Sequence, residues 1–205
     1  MLQSKTILAI LLALSFLFTE IQGEGNKIVM GYATVPADVA YLMNLRERPY
    51  VPRSDELTQL GPGFYLVNKP GNWKGNHESH FCVIRGLESR IQETEKVYIP
   101  RSYHRESWED FNTQNLWGEK DESVILEYIM TETSIKEPEK AFRFSWVLGV
   151  DWQLRMLIPK NVVDRAGSDF QAACYESEAA MREDSDEVVD WMSWGITGHP
   201  GLPGN

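Results

Sequence analysis

Cysteine is scarce in this 205-residue chain: Cys82 and Cys174 are the only two. That excludes a cysteine-rich disulfide scaffold, a four-cysteine zinc site and a CxxC redox pair. The sequence also lacks a GxSxG elbow, a P-loop and an HExxH pair, which removes the commonest hydrolase, nucleotide and metalloprotease signatures. Basic charge is in deficit, with 20 Lys and Arg against 30 Asp and Glu, a net charge of -10 and a pI near 4.9. Nucleic acid and anionic membrane surfaces need clustered cations, so neither is expected as a partner. Internal repeats and low-complexity blocks are missing. No apolar run reaches the roughly 20 residues that a bilayer crossing requires.

The longest apolar run, Ile7 to Phe18, does have a use. Lys5 precedes it, Thr19 and Glu20 end it, and Gly23 follows as a small residue with Ile21 at the minus-three position. The order of charge, apolar run and small residue predicts a cleaved secretory signal over residues 1–23; the alternative is an N-terminal membrane anchor. The chain is then expected to be secreted, with one domain over 24–197, a flexible tail over 198–205, and no membrane contact after cleavage. In an oxidising route Cys82 and Cys174 are expected to pair, the alternatives being two buried thiols or one reactive cysteine. Seven Trp, eight Tyr and eight Phe supply enough aromatic bulk for a real core, which argues against disorder.

Periodicity and breakers give a coarse map. Strands are predicted at Lys27 to Tyr32, Phe64 to Val67, His80 to Arg85, Lys96 to Ile99, Ser123 to Ile129, Phe142 to Trp146 and Leu154 to Ile158. A helix is predicted from the Pro36 entry to about Leu45, and two more at Asp169 to Tyr175 and Glu178 to Trp194. Between Pro100 and Lys120 a polar loop is expected. The fold class is α+β, with an early helix and closing helices.

Two segments carry a resemblance: GYATVPADVAYLM at 31–43 and LGPGFYLVNKP at 60–70. A strand, a helix and a Gly-Pro-Gly loop leading into a Gly-Phe-Tyr strand resemble the N-terminal half of the ADP-ribosyltransferase fold, with its split β-sheet core. The resemblance covers about residues 28–130. It implies NAD as substrate, with Tyr65 stacking on nicotinamide, Gly63 letting backbone approach the flat ring, and Tyr32 and Thr34 lining the ribose side. It also implies Glu122, ahead of Ser123-Val124-Ile125, as the carboxylate at the head of a late strand that stabilises a ribosyl cation. One frame of that motif puts Ser123 there instead, and Asp121 is a weaker substitute. Where the family has a His or Arg in the first strand, this chain has Ala33, whose methyl donates no hydrogen bond.

Two functions follow. One is an ADP-ribosyltransferase-like effector or toxin that transfers ADP-ribose to a target or hydrolyses NAD. The other is a catalytically inactive effector or binding protein that keeps the fold and meets a host or target-cell protein through its surface. No metal is expected: His77, Glu78 and His80 are spaced to touch one, but no third ligand set is legible, and a surface loop explains them.

Overall fold

The computed structural model describes residues 25–53, 58–106, 111–119, 121–150 and 152–203. The expected signal segment lies outside the described residues. Within them the chain is a mixed α+β fold built on one seven-stranded sheet, in the order β4-β7-β8-β2-β1-β3-β9, with a separate two-stranded sheet of β5 and β6. In the large sheet β4 and β7 run parallel, and every other neighbouring pair is antiparallel.

β1 (Lys27–Pro36) runs into α1 (Ala37–Arg46), where Pro36 sits at the N-cap with φ -58° and Asp38 and Arg46 complement the helix dipole. The helix buries Val39, Ala40 and Met43. Its C-terminal end does a second job at the sheet's edge. Asn44 accepts from the Cys174 amide at 2.8 Å and donates to the Cys174 carbonyl at 2.9 Å, so its side chain imitates a neighbouring strand.

β2 (Gly63–Val67) and β3 (Ser79–Leu87) follow, then α2 (Glu88–Glu93) and β4 (Lys96–Tyr98). β5 (Ser102–Glu106) and β6 (Phe111–Asn115) form an antiparallel pair inside the stretch expected to be a loop. α3 (Ser123–Glu132) corrects the expected strand over Ser123 to Ile129. The segment's buried residues Ile125, Tyr128 and Ile129 follow the i, i+3, i+4 spacing of a helix, and that packing overrides the β-branched composition. The Asp121 carboxylate accepts from the Ser123 amide at 2.9 Å and helps start the first turn.

β7 (Phe142–Trp146) and β8 (Leu154–Pro159) lie where expected, followed by a short α4 (Lys160–Arg165). β9 (Phe170–Tyr175) replaces the expected helix at Asp169 to Tyr175: Phe170, Ala172 and Cys174 point inward and their neighbours are half-buried, a period of two. The expected helix over Glu178 to Trp194 is instead α5 (Glu178–Asp184), a non-helical link, and a 3₁₀ turn at Trp191–Trp194. Trp191 interrupts that helix for a physical reason. Its ring is buried edge-on to Phe144 at 5.4 Å and its indole donates to the Met30 carbonyl at 2.8 Å, a position the link must reach.

Cys82 and Cys174 form a disulfide, with their Cα atoms directly opposed across β3 and β9. At the other edge, Thr197 pairs with β4: Tyr98 donates to the Thr197 carbonyl and the Thr197 amide donates to Lys96, both at 2.9 Å. Beyond it the Trp146 indole donates to the Gly201 carbonyl at 3.0 Å, so residues up to Gly201 lie against the body.

Candidate functional site

Strand register assembles the site. Tyr32 on β1, Val67 on β2, Arg155 on β8 and Ser145 on β7 stand opposite one another in a single row across four neighbouring strands. Cross-strand partners share a face, so their side chains emerge together. Thr34 and Tyr65 lie two residues from Tyr32 and Val67, which brings them to the same face. Here a cleft of about 290 Å³ opens, lined by Tyr32, Thr34, Tyr65 and Arg155 and completed by Thr58, Gln59 and Trp73 from the flanking loops. Ala33, Leu66 and Val67 form the rest of its wall. No carboxylate lines it among the described residues.

Both tyrosines are fixed through their hydroxyls. Tyr65 donates to the Gly61 carbonyl at 2.9 Å and accepts from the Leu60 amide at 2.8 Å. Tyr32 donates to the Glu187 carbonyl at 2.8 Å, leaving its oxygen to accept from Ser185 at 2.7 Å. Burial pushes both phenols above their ordinary pKa of 10.0, so each remains a neutral aromatic wall at physiological pH. Thr34 donates to the Trp73 carbonyl at 2.7 Å and so ties down the loop bearing that indole. Gln59 anchors the opposite loop, donating to the Trp146 carbonyl at 2.6 Å and the Ser145 hydroxyl at 3.0 Å.

Arg155 is the only charged residue in the described lining. Its guanidinium lies over two rings, 4.7 Å from the Trp73 centroid and 5.4 Å from Tyr65. Sequence reasoning missed Arg155 and Trp73. The available signal was a lone cation inside the apolar run Leu154 to Ile158, where a strand buried on both faces has no obvious use for one.

Glu122 is elsewhere. It occupies the N-cap of α3, not the head of a strand, and it does not line the cleft. Its carboxylate is 2.7 Å from Nη2 of the fully buried Arg143, in a contact too bent for a good hydrogen bond. Arg143 Nη1 donates to the Leu60 carbonyl at 2.9 Å. Tyr65 and the Arg143 that Glu122 pairs with thus hold one turn, Leu60-Gly61. Gly61 has φ +93°, and a Cβ there would lie 3.0 Å from Arg143, so that turn needs its glycine. Gly63 is likewise not in the lining. A Cβ on it would be 2.3 Å from the Ile158 carbonyl, so it serves the β2–β8 pairing.

His77 and Glu78 are 3.6 Å apart in an exposed turn. Among the described residues no three His, Cys, Asp or Glu side chains gather as a metal-binding group.

Neither a curated protein nor a solved structure matches the chain. A family model does match, over residues 58–199, a span that holds Tyr65, Trp73, Glu122 and Arg155 and leaves Tyr32 and Thr34 outside. With well over half of its length matched, the chain belongs to DUF5910, a family of unknown function.

Proposed function

We propose that this is a secreted, ADP-ribosyltransferase-like effector that binds NAD through its nicotinamide mononucleotide half and does not split it. One observation carries the reading: Tyr32 and Thr34 from the first motif and Tyr65 from the second, distant in sequence, converge on one cleft. The cleft's size supports half a dinucleotide, since about 290 Å³ is at the small end of the ~300–1,000 Å³ typical of small-molecule sites. Binding without turnover follows from two features. Ala33 offers no grip on a ribose, and Glu122, paired with Arg143, is not among the residues that line the cleft. The disulfide agrees with an oxidising compartment, where such bonds persist.

Titration calorimetry with NAD and nicotinamide mononucleotide, alongside an assay for free nicotinamide, tests the proposal. Saturable binding that is lost in Tyr65→Leu, with no nicotinamide released, is expected. Steady nicotinamide release would establish a transferase or glycohydrolase instead, and absence of binding by both compounds would remove NAD from the account.

A further inference from the structure

The odd feature of the cleft is its charge. Arg155 is half-buried beside apolar β-strand neighbours, and no carboxylate lies within ion-pair distance of it among the described residues. Its Nε is buried with no hydrogen-bond partner. An uncompensated cation withdrawn from water is unfavourable, and burial pulls its pKa down accordingly. Arg143 makes the contrast in charge: it is more deeply buried and its own Nε and Nη2 lack hydrogen-bond partners, but it has the Glu122 carboxylate at 2.7 Å and the Leu60 carbonyl. Among the described residues Arg155 has ring faces alone, those of Tyr65 and Trp73. A guanidinium stacked on aromatic faces keeps its in-plane N–H edges available, and that planar fork matches the two oxygens of a carboxylate or phosphate.

We propose that Arg155 is the specificity-determining residue of this cleft and that it selects ligands bearing an oxyanion attached to a small flat ring system. The overall charge of -10 repels anions at long range, so selection rests on this one local cation. The ring of the ligand packs against Trp73 and Tyr65 while its carboxylate or phosphate takes the free edge of the guanidinium. The inference rests on the reading of the cleft as a small-molecule site, but not on NAD as its occupant.

The test uses two matched pairs on the full chain by calorimetry at low salt. Nicotinate and nicotinamide share a ring and differ in carboxylate against amide. Nicotinamide mononucleotide and nicotinamide riboside differ in one phosphate. In at least one pair the anionic member is expected to bind about 10- to 100-fold more tightly, the range carried by hydrogen bonds to a charged group. Arg155→Met should erase that preference with its melting temperature unchanged or raised, and Arg155→Lys should restore only part of it. Preference in the first pair alone identifies a carboxylate ligand; in the second alone, a phosphate. Equal affinities within both pairs, or a preference that survives in Arg155→Met, overturns the proposal. If NAD fails to bind but nicotinate binds through Arg155, the NAD reading falls and this one stands. NAD binding that ignores Arg155→Met gives the reverse.

Discussion

Replacing Glu122 by Gln discriminates sharply between a catalytic and a structural carboxylate. A catalytic one can lose its charge with little effect on stability, whereas here the charge that remains is a guanidinium with no exposure at all. Breaking a buried ion pair by removing one partner costs about 3–5 kcal/mol. Glu122's side chain is 33% exposed, so water offsets part of the loss, and we expect about 2–4 kcal/mol. For a domain of this size that is a fall in melting temperature of roughly 5–15 °C. Arg143→Met should also destabilise, because it strips a donor from the Leu60 carbonyl. The double variant removes both charges, and it should be more stable than the sum of the two single losses implies. Calorimetric melts of the four proteins measure this coupling. If Glu122→Gln melts within about 2 °C of the parent, Arg143 is stabilised by other groups and the structural reading of Glu122 is wrong.

Reducing the Cys82–Cys174 bond, which closes a separation of 92 residues, should lower stability by about 4–5 kcal/mol on the chain-entropy account, read from denaturant melts with and without reductant. Melts unchanged by reductant would mean that the β3–β9 pairing alone holds the edge. Arg85 holds Asp184 by two hydrogen bonds of 2.8 and 3.0 Å and lowers its pKa below 3.8, so that pair stabilises above that pH and its contribution is lost as pH falls through the lower folded value. Asp184→Asn should therefore lose less melting temperature on acidification below about pH 4 than the parent does, a difference worth about 1 kcal/mol or less. Deleting residues from Thr197 onward uncovers the β4 edge and should raise the light scattering of concentrated samples, since an open edge is a template for pairing between chains. Unchanged scattering would show that the edge is guarded by other means.

Where a segment is continuously apolar or bounded by clear breakers, the sequence was readable. The Phe142 to Trp146 and Leu154 to Ile158 strands and the helix after Pro36 are long apolar or punctuated segments, and each formed as expected. Ser123 to Ile129 misled because a short apolar run rich in β-branched residues fits a strand or a buried helix equally, and only the position of Ile125, Tyr128 and Ile129 against the core decides. Phe170 to Tyr175 misled in the other direction: a helix is expected there, while the alternation of Phe170, Ala172 and Cys174 is the period of a strand. The cleft divided the same way. Tyr32, Thr34 and Tyr65 could be named from local motifs, but Arg155 joins them only through the pairing of β2 with β8, whose Val67 and Arg155 are 88 positions apart (155 minus 67). Local sequence does not encode that register.

The strand order also governs when the protein can take shape. β8 sits between β7 and β2, so the strands made before residue 154 form two separate patches until it arrives to join them. The pairing of Arg155 with Val67, and with it the cleft, cannot exist earlier. Cys82 waits as a lone thiol for 92 further residues, about 5–20 s at ordinary rates of synthesis, before Cys174 is made. A nascent chain stalled between β7 and β8 therefore holds an unpaired Cys82 and two sheet patches not yet joined, a state in which oxidases and chaperones meet it before the cleft exists.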